Sequence, residues 1–203
     1  MIDGREPPPD IMWRKNLALL VYLALSPNAS RSREHLLGLL WPEKPEPKAR
    51  HSLNEAVRRL RAAMGAGRIV SKGDQIALIT EGLEVDAVTE RRSEHMRGEF
   101  LEGIYLDDAP EFESWVTQQR VKYRARTVDQ LLRIGEDHLA RDPREAREAA
   151  RDVLATDQLS EPAVHLYMRA AALAGDTAAA LAEFNAFTER LQDRIGEDPG
   201  RAL

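Results

Sequence analysis

Between Lys44 and Lys72 the chain carries eight Lys/Arg side chains against two acidic ones, a local net of +6 in a molecule whose formal charge is −5. Cations gathered in this way can replace the counterions of a phosphate backbone. Most of them lie on a stretch with helical periodicity, because Leu53, Val57, Leu60 and Met64 recur at three- and four-residue spacing. With Leu53 placed at 0° on a helical wheel, the apolar residues cluster within about 60° of it. Arg50, Arg61, Asn54, Arg58 and His51 then fill the sector from about 60° to about 160°. Such a face fits a major groove, which admits one α-helix. An arginine fork binds O6 and N7 of guanine, and an asparagine amide binds N6 and N7 of adenine, each pair discriminating by roughly 1–3 kcal/mol. Lys48 and Arg59 fall where contact with phosphate is expected. Arg31 and Arg33 stand at the start of a second helix, where unpaired backbone N–H groups also favour an anion.

A charged outer face is ordinary on any amphipathic helix, and Glu55 at about 200° interrupts this one. The surrounding elements therefore matter. Residues 1–10 are polar and Pro-rich and read as an extended arm. A helix is expected over 11–25, broken by Ser26-Pro27-Asn28. Ser32 caps a second helix over 33–41, and three prolines between 42 and 47 make a loop. The third helix spans 48–64, with Gly65 where a C-cap glycine belongs. Arg68-Ile69-Val70 and Ile76-Ala77-Leu78-Ile79 flank a Gly/Asp turn and predict a β-hairpin, with Arg68 at its base and Lys72 at its tip placed to touch phosphate. Three helices followed by a hairpin is the order of a winged helix-turn-helix.

Residues 81–92 read as a linker, so the sequence divides into a winged helix over 1–92 and a helical domain over 93–203. Helices are expected near 111–140, 144–155, 160–174 and 177–195. The pattern Leu139-Ala140-x-Asp142-x-x-x-Ala146 recurs as Leu173-Ala174-x-Asp176-x-x-x-Ala180, offset by the 34 residues of a tetratricopeptide repeat. The fold class is thus mainly α, with one small β-hairpin wing. Charge divides the same way, with a net of +1 over 1–90 and −6 over 91–203.

Other chemistries find little support. There is no cysteine. His35, His51, His95, His138 and His165 form no recognisable ligand set. Asp107-Asp108 precedes Ala109-Pro110 and reads as a loop and helix cap rather than an acid–base pair. No phosphate-binding glycine loop, nucleophile elbow or zinc-protease signature occurs, so no catalytic residue, cofactor or metal is expected. Trp41 and Trp115 read as core residues, and Phe100, Leu101, Tyr105 and Phe112 as residues that seat the two domains or begin the second core. The apolar run Leu17–Leu25 is far too short to span a bilayer, and the acidic, Pro-rich start does not resemble a signal peptide. A cytoplasmic protein without membrane contact is expected.

Several segments resemble the SARP-type bacterial transcription activators, the antibiotic-regulatory-protein class. "RKNLALLVYLALSPNASRSREHLLGLLWP" is similar to the start of their DNA-binding domain and "KARHSLNEAVRRLRAAMG" to its recognition helix. "FLEGIYLDDAPEFESWVTQQR" and "LATDQLSEPAVHLYMRAAALAGDTAAALAEFNAFTERLQDRIGEDP" are similar to their bacterial transcriptional activation domain. The resemblance runs from Trp13 to Pro199. It implies an OmpR-like winged helix that binds double-stranded DNA, often as a side-by-side dimer. It also implies a tetratricopeptide-like domain that supports homodimerisation or contacts RNA polymerase. The recognition helix falls on Lys48, Arg50, His51, Asn54, Arg58, Arg59 and Arg61, and the wing on residues 68–75. Relatives carry an N-terminal sheet before the first helix; here it is expected to be reduced or missing, and the chain to be either a short regulator or part of a longer one. The competing reading is a protein-interaction or dimerisation module whose winged helix no longer binds DNA.

Overall fold

A computed structural model describes residues 13–83 and 99–196 of the 203. Two compact units divide after Arg120. The expected N-terminal arm, any sheet preceding the first helix, most of the 81–92 linker, the 92/93 domain boundary and His95 lie outside the described residues.

In the first unit, α1 (Arg14–Ala24) ends at a short 3-10 turn, Pro27–Ala29, in which Asn28 adopts φ 54°. β1 (Ser30–Ser32), α2 (Arg33–Leu40), α3 (Glu46–Met64), β2 (Ile69–Lys72) and β3 (Gln75–Leu78) follow. Ser32 caps α2, its Oγ accepting the His35 N–H at 3.2 Å. Gly65 closes α3 with φ 97°, a conformation open to it because it has no Cβ. The strands form an antiparallel sheet in the order β1-β3-β2. The expected hairpin is β2–β3. Its two-residue turn places Gly73 at φ 59°, as tight hairpin turns demand of their first position. The strand β1 was not anticipated. Three polar residues carry no alternating pattern, and the pairing of Ser30 with Ala77, Arg31 with Ile76 and Ser32 with Gln75 comes from the open backbone edge of β3.

The core of this unit joins Leu19 and Leu23 of α1, Leu36 and Leu40 of α2, Leu53 and Leu60 of α3, and Ile69 and Ile76 of the hairpin, all buried. Residues 99–120 complete it. Phe112 is fully buried, and Trp115 lies edge-on to Tyr22 at 4.8 Å and tilted against Phe112 at 5.5 Å. Arg120 Nε and Nη2 donate to the carbonyls of Phe100 and Leu101 at 3.0 and 3.2 Å, and Lys15 Nζ meets Asp108 at 2.6 Å. Phe100, Phe112 and Trp115 therefore finish the core begun by the winged helix, and Trp41 is buried in the same cluster.

The helix α4 (Pro110–His138) is continuous. Its residues from Val121 onward belong to the second unit, with α5 (Pro143–Thr156), α6 (Glu161–Leu173) and α7 (Thr177–Ile195). The 34-residue echo marks two copies of one corner. Asp142 Oδ1 accepts the Arg144 and Glu145 N–H groups at 3.1 and 3.3 Å, and Asp176 Oδ1 accepts that of Ala179 at 3.1 Å. Each aspartate caps a helix whose fourth residue, Ala146 or Ala180, is buried. At Gly135 of α4 a Cβ would fall 2.4 Å from Leu166 Cδ2 of α6, so a larger residue there would require Leu166 to move.

Because Phe112 closes the first unit, Phe112→Ala is expected to destabilise it by about 3–5 kcal/mol. Urea unfolding followed by the fluorescence of the tryptophans, all of which lie in this unit, would measure the loss. A cost below about 1 kcal/mol would show that residues 99–120 are not part of that core.

Candidate nucleic-acid interface

Burial of Ala49, Leu53, Ala56, Val57 and Leu60 fixes the rotation of α3 about its axis. Arg50, Asn54 and Arg58 consequently emerge at four-residue intervals along one exposed stripe, with His51 beside it and Lys48, also exposed, further around the helix. Two elements converge on the middle of this stripe. Arg33, the first residue of α2, donates its backbone N–H to the Asp74 carbonyl in the hairpin turn at 2.8 Å. Its Nη1 donates to Asn54 Oδ1 at 2.8 Å and its Nη2 to Ser71 Oγ at 3.4 Å. From α3, Arg61 donates Nε to the Ile69 carbonyl at 2.7 Å and Nη2 to Ser71 Oγ at 3.1 Å. Arg33, Asn54, Arg61 and Ser71 thus join α2, α3 and β2, and Lys72 stands exposed beside them at the tip of the wing.

Two carboxylates also face this surface. Glu46 accepts from Arg50 Nε and Nη2 at 2.8 and 2.6 Å. Glu55 accepts from Arg58 Nε and Nη2 at 2.8 and 2.7 Å, and from Arg59 Nε at 2.9 Å. Hydrogen bonds from Arg58 and then Arg59 lower the Glu55 pKa from 4.5 to about 2. Exposed pairs of this kind are screened by solvent and contribute little to stability, so the guanidinium groups are free to exchange partners.

Three further residues expected to contact DNA are held by partners within the chain. Arg31 belongs to β1 rather than to the start of α2, and its guanidinium lies 5.7 Å from the Tyr22 ring centroid. Arg59 turns to the opposite side of α3, its guanidinium 3.8 Å over the ring of Trp13. Arg68 clasps the base of the wing, donating to the carbonyls of Ile79 and Glu81. Ser71, conversely, escaped the sequence reading. The one signal for it was its place beside the Gly73 turn, where a strand residue faces solvent. Among the described residues no group of His, Asp or Glu is arranged to hold a metal ion, and no helix is long and apolar enough to cross a membrane.

Three helices with a β-hairpin wing, followed by capped helical repeats, define a winged-helix protein joined to a tetratricopeptide-like unit. The family model of the bacterial transcriptional activator domain matches residues 80–203, and that of the transcriptional regulatory protein C-terminal domain matches residues 12–77. The chain belongs to the bacterial transcriptional activator domain family, and the two matches in this order make it a regulator of the SARP type. No curated protein matches. Among solved structures the chain is similar to Mycobacterium tuberculosis EmbR in complex with a low-affinity phosphopeptide, with a TM-score of 0.71 and 20% identity. That likeness is one of fold. It covers 100% of this chain, which spans 59% of the EmbR chain.

The lowered pKa of Glu55 makes its carboxylate a stabilising group above pH 4.5, and that contribution disappears as pH falls through about 2. An NMR titration of the Glu55 carboxyl carbon should give a midpoint near 2, returning toward the ordinary value in Arg58→Ala/Arg59→Ala. A wild-type midpoint near 4.5 would mean that neither arginine holds it.

Proposed function

We propose that this chain is a cytoplasmic transcription activator that binds double-stranded DNA by placing α3 in a major groove. Arg50, Asn54 and Arg58 face the bases, while Lys48 and Lys72 contact phosphate. The helical unit recruits RNA polymerase subunits or a second copy of the chain, and no catalytic step is involved. The observation that carries this reading is the exposed α3 stripe, braced by Arg33 and Arg61 against the wing. A helix held from two sides presents its polar side chains in one arrangement, as base reading requires. The matched families describe transcription regulators and support the same reading.

A second reading is a protein-interaction or dimerisation module that does not bind DNA. It is favoured by Glu46 and Glu55, which engage Arg50 and Arg58 from within the same helix.

Fluorescence polarisation of the full chain on genomic duplex fragments at several salt concentrations separates the two. If about five phosphates are neutralised, log affinity will fall against log salt with a slope of roughly −4 to −5. Lys72→Ala should weaken binding to all sequences alike and make the slope shallower by about 1. Arg58→Ala should instead relax sequence preference. Absence of DNA binding at low salt, with capture of a stable protein partner, would establish the module reading.

A further inference from the structure

We propose that the groove between α5 and α7 binds an acidic segment of a partner protein, with Arg151 receiving one of its carboxylates. The inference rests on the proposed recruitment of a protein by the helical unit and assigns the chemistry of the segment that is recruited.

The charges of α5 are divided between two sides of the helix. With buried Ala150 at 0°, Leu154, Arg147 and Arg151 fall between about 40° and about 100°, while Glu148, Asp152 and Glu145 fall between about 160° and about 220°. The basic side is the one turned toward α7. Arg147 Nη1 meets Asp176 Oδ2, on the residue that caps α7, at 3.1 Å. Beyond this pair a groove of about 410 Å³ opens, lined by Arg151 and Leu154 of α5, Gln158, Tyr167 of α6, and Glu183 and Arg190 of α7.

The carboxylate lining the groove is already engaged, since Glu183 Oε1 accepts from Arg190 Nη2 at 2.7 Å. Arg190 Nε also donates to the Gln158 carbonyl at 3.2 Å, and Arg194 Nη2 donates to Gln158 Oε1 at 3.2 Å. Arg151 is held differently. It is exposed, its Nη2 donates to the buried Tyr167 hydroxyl at 3.3 Å, and its guanidinium lies 5.5 Å from the Tyr167 ring centroid. Among the described residues no carboxylate pairs with it. One of its five N–H donors is thus used, and the tyrosine steadies the plane that carries the rest. Arg151, Arg190 and Arg194 against Glu183 leave a net of +2 around the groove, in a half of the chain whose net is −6.

A carboxylate matches the guanidinium fork in two parallel hydrogen bonds. Leu154, half-buried beside Arg151, offers an apolar contact to a neighbouring residue of the same segment. A nucleic-acid duplex suits this surface poorly. Its charge is continuous, and it would also meet the exposed Glu145, Glu148 and Asp152 on the other side of α5. A short acidic segment places its carboxylates over the groove alone.

Selection from a randomised peptide display library by the full wild-type chain, followed by fluorescence polarisation of the labelled winners, tests this. The winners are expected to carry Asp or Glu beside an apolar residue. They should bind Arg151→Ala about tenfold to a hundredfold more weakly, and Arg151→Glu more weakly still. Arg151→Lys, which keeps the charge without the fork, should fall between wild type and Arg151→Ala. Arg141→Glu, the same change of net charge outside the groove, should bind as wild type does. Thermal melts would show that each variant remains folded. Winners without acidic residues, acidic winners that bind Arg151→Glu as tightly as wild type, or no winners at all would overturn the inference. So would loss of wild-type self-association in Arg151→Glu by sedimentation without peptide binding, which would make a second copy the occupant. An equal weakening of duplex binding in Arg151→Glu would make the groove a nucleic-acid contact and overturn it too. Duplex binding by the wild type reads the proposed function separately: its absence, with acidic peptides still bound, would remove the DNA reading and leave this inference standing.

Discussion

The apolar stripe of α3 sets the direction of every other side chain on that helix. Leu53, Val57 and Leu60 are buried against the rest of the first unit, and each such side chain contributes about 1.5–3 kcal/mol relative to exposure. Rotation by one residue, about 100°, would drive Asn54 and Arg58 into the core and bring Leu53 to the surface. A buried guanidinium lacking a partner costs more than the exposed pairs around it return. Hydrophobic burial, which has no direction of its own, thereby aims a stripe of directional hydrogen-bonding groups outward. Residues 99–120 strengthen this constraint, because Phe112 and Trp115 seal the same core from a segment far along the chain.

Rotation alone does not fix the tips of long side chains. Arg33 and Arg61 supply that order, each tied to backbone at one point and to Ser71 at another. Arg50 and Arg58 are held differently, by carboxylates on their own helix. Those pairs are exposed and screened by solvent, so they hold the guanidinium groups only weakly. The surface thus combines a centre braced by Arg33, Arg61 and Ser71 with flanking cations paired to carboxylates of their own helix.

Much of this was legible from residue spacing. The 3.6-residue period of α3, the capping serine of α2, the glycine at the hairpin turn and the 34-residue echo of Asp142 and Asp176 each depend on local chemistry, and each corresponds to a feature of the fold. What could not be read depends on contacts between distant segments. β1 has no side-chain pattern and exists only because β3 offers it an edge. Arg59 stands about 100° from Arg58 on the helical wheel, but that its guanidinium lies over the ring of Trp13 depends on a residue far away in sequence. The echo also breaks in a way that spacing cannot show. Leu139 is buried beneath α6, whereas its counterpart Leu173 is 61% exposed, since no described helix lies over it.

Acidity of the chain bears on how such a surface works. Non-specific affinity for DNA grows with the number of phosphates neutralised, irrespective of sequence. Under the proposed function, Glu46 and Glu55 among the cations of α3, and a net of −6 over residues 91–203, work to keep that general term small. A protein with many uncompensated cations would be held on any duplex, and the gain from one correct base would be a minor part of its total affinity. Under the proposed function, a modest general term leaves contacts with individual bases a larger share of the binding free energy.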